Sequence, residues 1–170
     1  MNEQVLANLN SVSSEEAQGL LRQCCSSKWW CQEVAAARPF ENESKLQTAV
    51  EQGFAAMPRE DWLEAFACHP KIGDLESLKM KFAGNRQWSS GEQAGMAGVE
   101  EDTLLRFAQA NEEYEKRFGY IFIVCATGKS AAEMLAMLED RLQNDPDTEL
   151  AIASGEQKKI TQLRLQKMNL

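Results

Sequence analysis

The chain contains one histidine, His69, and its local context suits proton chemistry. It lies in the segment Cys68-His69-Pro70, after an apolar helical stretch and directly before a proline. Histidine is the side chain whose ordinary pKa lies closest to neutrality. Because proline disfavours helical geometry at the preceding residue, we expect the His69 ring to project from a helix end. The structural alternative is a histidine that only hydrogen-bonds a backbone carbonyl at that end.

A second group of polar side chains follows in Ser89-Ser90-Gly91-Glu92-Gln93. Ser89 with Glu92, and Ser90 with Gln93, each match the capping box that begins a helix, which is the structural interpretation. The functional interpretation uses the same geometry, because a helix N-terminus offers free N–H groups to an anion. A carboxylate, an amide and a histidine could together move protons and hydrogen-bond a polar heterocycle.

These residues need a scaffold, and the periodicity of apolar residues predicts one made of helices. Capping boxes begin two of them, at Ser13 with Glu16 and at Ser130 with Glu133. We predict an all-α fold in a single domain, residues 1–170, with about seven or eight helices. The first predicted helix begins near Ser13, and a turn of helix is predicted from Ser89 or Ser90. The other predicted helices cover Trp29 to Val34, Leu46 to Met57, Pro58 to Cys68, Leu75 to Phe82, Glu101 to Phe118, Ser130 to Leu142 and Thr148 to Lys167.

Two stretches depart from this helical pattern. Residues 71–98 are rich in glycine, and irregular segments held by a rigid scaffold often carry function. The run Tyr120–Ala126 has the composition of a strand, but no partner strand is evident. We therefore predict one irregular segment near 120–127, either buried and extended or helical.

Composition excludes several classes of function. The net charge is −8, from 26 acidic and 18 basic residues, and no basic cluster is present. This argues against nucleic acid and against an anionic membrane surface as partners. No run approaches the ~18 apolar residues of a membrane span, and no basic segment precedes an apolar one, so we expect a cytoplasmic protein.

The cysteines indicate a reducing compartment and no metal centre. There are five, Cys24, Cys25, Cys31, Cys68 and Cys125, and none forms a CxxC pair. With one histidine in the chain, no zinc-ligand set can be assigned from spacing. We expect reduced, mostly packed thiols.

Four motifs in one order give the sequence a family resemblance. They are His69-Pro70-Lys71-Ile72-Gly73; Ser89-x-x-Glu92-Gln93-x-Gly95; Asn111-x-x-Tyr114-x-x-Arg117-Phe118-Gly119-Tyr120-x-Phe122-Ile123; and Arg141-Leu142-x-Asn144 with Glu149, Ile160 and Leu163-Arg164-Leu165. Over nearly the whole chain, this pattern resembles the 2-oxo-4-hydroxy-4-carboxy-5-ureidoimidazoline (OHCU) decarboxylases, which make (S)-allantoin in urate degradation. One departure is Ile121, where the family commonly has proline; it removes no reactive group.

The resemblance implies an all-α enzyme that needs no cofactor or metal, acts on a small molecule and is usually a homodimer. It implies that His69 is the general acid and that Glu92 and Gln93 are the catalytic or orienting side chains of the helix-end group. It assigns substrate contacts to Pro70, Ser89, Ser90, Gly91, Glu92 and Gln93, and to the backbone of Ile123, Val124, Cys125, Ala126 and Thr127.

Two other functions remain open from the sequence. A non-enzymatic helical interaction module would account for the acidic surface, the amphipathic helices and the pair Trp29-Trp30. It would not account for a single histidine and a Ser-Ser-Gly-Glu-Gln turn in one glycine-rich stretch. A hydrolase or lyase that acts on a related ureido compound is the alternative among enzymes.

Overall fold

The computed structural model describes residues 3–69, 75–82 and 93–168, and within these ranges the chain is helical with no strand. The all-α prediction is confirmed. The described residues form nine helices: α1 Glu3–Ser11, α2 Ser14–Arg22, α3 Lys28–Ala36, α4 Glu43–Ala56, α5 Arg59–Ala67, α6 Leu75–Phe82, α7 Gln93–Phe118, α8 Ala131–Arg141 and α9 Pro146–Lys167.

Local sequence signals set the helix ends as predicted. Ser13 and Glu16 form a complete capping box at α2, and Ser130 and Glu133 form one at α8. In each box the serine hydroxyl accepts from the backbone N–H three residues later, while the glutamate accepts from the serine N–H. After α7, Gly119 adopts φ +79°, a conformation that glycine takes without steric cost.

Two helices differ from the prediction. Helix α1 was not predicted, although Val5 and Leu9 are fully buried at the helical spacing of four residues. The helix predicted from Glu101 begins earlier, because α7 is continuous from Gln93; the turn predicted from Ser89 or Ser90 lies outside the described residues. Glycines in this stretch suggested an interruption, but glycine weakens a helix without removing a backbone donor, so it does not have to end one.

The described residues group into two compact units. The first comprises 1–69 and 154–170, and the second comprises 70–153. In the first unit, a series of aromatic rings fills the core, with ring centroids 5.1 Å apart for Trp30 and Phe54 and 5.5 Å apart for Phe54 and Trp62. Trp30 is fully buried, so it is a packing residue of this core.

In the second unit, α7 packs against α8 and α6. Its core includes Leu104, Phe107 and Tyr114 from α7, and Leu138 from α8. Residues 121–126 are neither helix nor strand, as the prediction of an irregular segment requires. This segment connects α7 to α8, and its Phe122 ring contacts Tyr114 of α7 and Arg141 of α8.

The five cysteines are free, and four of them are buried. Burial raises the pKa of Cys24 and of Cys25 to about 11, and that of Cys31 to about 12. Cys68, which precedes His69, is exposed. The prediction of mostly packed thiols is confirmed, and that they are reduced stays a prediction.

Candidate active site

His69 lies two residues beyond the end of α5, and its ring makes a long-range contact. Cys68 caps the helix with helical backbone angles, and the His69 N–H donates to the Phe66 carbonyl at 3.1 Å. The ring itself does not follow the structural alternative of a bond to a backbone carbonyl. Its Nε2 atom lies 2.5 Å from Oε1 of Gln157, a residue 88 positions away on α9. The chain therefore fixes both the backbone and the ring of its one histidine.

Gln157 belongs to a buried stripe along α9. Ala153, Gln157, Thr161 and Leu165 follow one another at intervals of four residues, and all four side chains are fully buried. Gln157 Nε2 donates to Thr161 Oγ1 at 3.2 Å, and the Thr161 hydroxyl donates to the Gln157 carbonyl at 3.0 Å. Buried polar groups are rarely left without partners, and here the His69 ring supplies the partner of the amide oxygen.

The surroundings of His69 favour its neutral form. Burial lowers its pKa below the ordinary value of 6.5, because removal from water disfavours the charged ring. The Arg164 guanidinium lowers this pKa further, whereas the hydrogen bond to Gln157 raises it. Arg164 is itself placed by a bond from Nη1 to the Cys24 carbonyl, 3.2 Å long. The lowered pKa thus favours the uncharged imidazole at neutral pH.

The predicted substrate segment lies in the second unit, with its backbone held at two points. The Ile123 carbonyl accepts from Arg141 Nη1 at 2.8 Å, and the Cys125 carbonyl accepts from Lys129 Nζ at 2.7 Å. Ile123 and Cys125 are buried, Val124 and Ala126 are partly exposed, and Thr127 is exposed. Burial thus alternates along this segment, which is the pattern of an extended backbone.

A buried ion pair supports this segment. Arg141 and Glu149 approach to 2.6 Å, and their side chains are 6% and 0% exposed, so the pair is desolvated. The Tyr114 hydroxyl donates to the same carboxylate, and Asn144 Nδ2 donates to its second oxygen at 2.8 Å. The Arg141 guanidinium also lies over the Phe122 ring, 4.6 Å from its centroid. Both oxygens of the Glu149 carboxylate are thus hydrogen-bonded, and a buried charge needs such partners to offset its loss of water.

Two parts of this arrangement were not predicted from the sequence. Gln157 carried no predicted role, although a glutamine between Ala153 and Thr161 on one helix face signals a polar group within the core. Arg141, Glu149 and Tyr114 served only as marks of a family resemblance. The charged Arg141 in the apolar pattern of α8 is the signal that could have indicated a buried ion pair.

The remaining predicted site residues fall outside the described ranges. Pro70, Ser89, Ser90, Gly91 and Glu92 lie in 70–74 and 83–92, and the structure describes neither stretch. Gln93 begins α7, but its side chain is likewise outside the description. The two capping boxes predicted from Ser89 and Ser90 therefore stay predictions.

Within the described residues, no group of three or more His, Cys, Asp or Glu side chains is placed to hold a metal ion. No helix in the described part of the chain is long and apolar enough to cross a membrane.

Comparison with known proteins gives concordant matches. A family model described as OHCU decarboxylase matches residues 10–166. The chain is 37% identical over 145 residues to the uric acid degradation bifunctional protein TTL of Arabidopsis thaliana. This match covers 85% of this chain and 45% of that protein. The chain therefore spans less than half the length of that relative. It is 35% identical to the 2-oxo-4-hydroxy-4-carboxy-5-ureidoimidazoline decarboxylase of Amia calva, over 80% of this chain and 79% of that protein.

A solved structure shares the architecture. The chain matches a crystal structure of OHCU decarboxylase in the presence of (S)-allantoin with a TM-score of 0.68 and 34% identity. The match covers 92% of this chain and 97% of the other. The likeness in fold thus extends over nearly the whole of both chains.

Proposed function

The chain belongs to the OHCU decarboxylase family, and we propose that it converts OHCU to (S)-allantoin and CO2 in urate degradation. The observation that carries this proposal is the environment of His69. The one histidine of the chain begins a family motif and is held, neutral and half-buried, against a buried amide. A cofactor-free decarboxylase that must protonate a carbon atom needs such a group.

The substrate's own chemistry makes a cofactor unnecessary. OHCU carries its carboxylate on C4, next to a C5=N imine. When CO2 leaves, the electron pair of the broken bond passes toward the imine, so the substrate supplies its own electron sink. The enzyme has to align the breaking bond with the imine and then protonate C5 on one face. Orientation and a positioned proton carrier are the two contributions expected of the protein.

We assign roles within this chemistry as follows. His69 supplies or relays a proton, and Glu92 hydrogen-bonds the C4 hydroxyl or His69 and fixes its orientation. Gln93 and the helix end at Ser89, Ser90 and Gly91 hold the urea and ring amides. The further substrate contacts are Pro70 and the backbone of Ile123, Val124, Cys125, Ala126 and Thr127. The anchoring of the Ile123 and Cys125 carbonyls supports a fixed backbone there.

Activity is expected to depend on pH through the neutral form of His69. Because the pKa of His69 is lowered below 6.5, the ring is uncharged above that pH and becomes protonated only in more acidic solution. A ring that accepts and returns a proton is active when neutral, so kcat/KM should stay level at and above pH 6.5 and fall only in solution more acidic than the lowered pKa. The measurement is the pH profile after subtraction of the spontaneous reaction. A profile in which activity rises on acidification through this range contradicts the neutral relay.

Substitution Glu92→Ala separates the two interpretations of the helix-end group. If Glu92 only caps a helix, its loss should cost about 1 kcal/mol of stability and little activity. We expect the opposite, a fall in kcat of more than about tenfold with a melting temperature that barely changes, because an acid–base or orienting group acts on the reaction. Glu133→Ala is the matched control, since Glu133 closes the capping box of α8. Equal effects of the two substitutions on stability, with full activity in both, would assign Glu92 a capping role.

We further propose that residues 1–170 form one domain that acts as a cytoplasmic homodimer. The family model spans both compact units, and α9 runs through both, which supports a single domain. The reduced cysteines support a cytoplasmic location. Light scattering coupled to gel filtration measures the mass directly, and a value of 19.1 kDa would exclude the dimer.

A further inference from the structure

The contact between His69 and Gln157 determines which ring nitrogen carries a hydrogen. The atoms that meet are His69 Nε2 and Gln157 Oε1, 2.5 Å apart. An amide oxygen only accepts hydrogen bonds, so a bond between these atoms requires the hydrogen to be on Nε2. The assignment depends on the amide oxygen, and not the amide nitrogen, facing His69.

Thr161 fixes the orientation of the Gln157 amide. The Thr161 hydroxyl donates its single hydrogen to the Gln157 backbone carbonyl at 3.0 Å, so its oxygen is left as an acceptor. Gln157 Nε2 donates to that oxygen at 3.2 Å. Both side chains are fully buried, so a reversed amide would either set oxygen against oxygen or take the Thr161 hydrogen away from the Gln157 carbonyl, with no water to repair the loss. The orientation with Oε1 toward His69 follows.

We propose that Gln157 is a positioning residue that holds His69 in the neutral tautomer with its hydrogen on Nε2, leaving Nδ1 as the nitrogen that moves the substrate proton. The role of Nδ1 in turnover rests on the proposed function. The tautomer itself is a property of the free protein and is measured without substrate.

The proton balance of the reaction fits a relay through one nitrogen. Loss of CO2 places the bonding pair between C4 and C5, and the electrons of the C5=N bond move to nitrogen, which takes a proton from solvent. The product of this step is an enol with a hydroxyl on C4. Nδ1 takes the hydroxyl proton as the C4=O bond forms, and the C4=C5 pair receives that proton at C5. His69 ends as it began, and the overall reaction consumes one proton and releases CO2.

The electrostatics around His69 agree with this starting state. Among the described residues, the charge that acts on the ring is the Arg164 guanidinium, on the same helix as Gln157. It lowers the pKa of His69, as burial does, and both keep Nδ1 unprotonated before the substrate proton arrives. Gln157 is uncharged, so it can direct the ring without holding it permanently protonated.

The tautomer is directly measurable because His69 is the one histidine in the chain. Long-range proton–nitrogen NMR on the 15N-labelled protein, prepared without a histidine tag, reports the two ring nitrogens separately. At pH 8 we expect a protonated Nε2 with slow hydrogen exchange and an unprotonated Nδ1. Gln157→Leu should abolish the slow exchange, since the buried acceptor is gone. A wild-type ring protonated on Nδ1 instead would overturn the proposal.

Kinetics then separate positioning from a structural role. Gln157→Leu is expected to lower kcat by at least about tenfold, with KM nearly unchanged, because the proton carrier loses its preferred tautomer. Gln157→Glu keeps an acceptor for Nε2 and adds a negative charge, so it should retain more activity and move the acidic limb of the pH profile to higher pH. Gln157→Leu should move that limb to lower pH, since the bond that raises the pKa of His69 is lost.

Gln162→Leu is the matched control. It makes the same substitution on the same helix, at a side chain whose Nε2 donates to Glu51 at 3.0 Å on the surface. We expect wild-type NMR and kinetics for it.

Equal kcat values for the two leucine variants would overturn the positioning role, and Thr161→Val provides a second test if Gln157→Leu does not fold. A wild-type protein without turnover contradicts the proposed function, whereas the NMR result still decides the tautomer.

Discussion

Replacing His69 with asparagine is expected to lower the rate of decarboxylation by at least about 10²-fold, within the 10²–10⁴-fold that positioned acid–base groups contribute. Asparagine is close in size and its side-chain amide can still donate toward the oxygen of Gln157. It does not accept and release a proton near neutral pH, so the substitution removes the chemistry and preserves the contact. Single-turnover kinetics with freshly generated substrate separate the chemical step from binding.

The control for this variant is its stability. His69 lies beyond the end of α5 and is only partly buried, so its replacement leaves the cores of both units intact. The melting temperature and the far-ultraviolet circular dichroism of His69→Asn should match those of the wild type. Activity near the wild-type level in a folded His69→Asn variant would remove His69 from the mechanism.

Substitution Glu149→Gln is expected to cause the largest loss of stability, about 3–5 kcal/mol, because it leaves the buried Arg141 charge uncompensated. The Glu149 carboxylate accepts hydrogen bonds from Arg141, Tyr114 and Asn144, and it is fully buried. Glutamine keeps the shape of the side chain and removes its charge. Urea denaturation, followed by tryptophan fluorescence, gives the change in the free energy of unfolding.

A surface ion pair of the same unit provides the matched control. Glu139 accepts from Arg106 Nε at 2.7 Å, but both side chains are about two-fifths exposed. Glu139→Gln should therefore change the free energy of unfolding by less than about 1 kcal/mol. If Glu149→Gln is no more destabilising than Glu139→Gln, the buried cluster does not stabilise this unit. Because Arg141 also holds the Ile123 carbonyl, that result would remove the support inferred for the substrate segment.

The helices could be predicted from sequence because their signals are local. The capping boxes at Ser13 and Ser130, the glycine after α7 and the apolar periodicity of four residues each act within one or two turns. Where two local signals competed, the prediction was less accurate. Glycines in the stretch before Glu101 favoured an interruption, and the structure shows a helix that is continuous from Gln93.

The site was only partly predictable because its contacts are not local. His69 was identified by residue type and by the proline after it, but its partner Gln157 is 88 residues away. Likewise, Tyr114 and Glu149 meet across 35 residues of sequence. Periodicity places such side chains on the buried face of a helix, yet it does not state which polar group from another helix they meet. Only tertiary packing brings these pairs together.

The alternative of a non-enzymatic helical module is weakened by the same contacts. A module that only binds a partner does not need its one histidine kept neutral at a helix end and bonded to a buried amide. The paired tryptophans, which it would use as a binding surface, are not both available, since Trp30 lies fully buried in the core. An enzyme that acts on a related ureido compound is distinguished by its products, because the decarboxylase releases CO2 and gives allantoin as one enantiomer.

The most direct test of the central claim is turnover of the substrate itself. OHCU is unstable, so it is generated from urate by the two enzymes that precede it in urate degradation, and allantoin formation is followed by circular dichroism. The wild-type protein should give rapid formation of the (S)-enantiomer, and His69→Asn should give the slow background rate. Racemic allantoin, formed at the spontaneous rate in the presence of wild-type protein, would contradict the assignment and show that this chain has the fold without the activity.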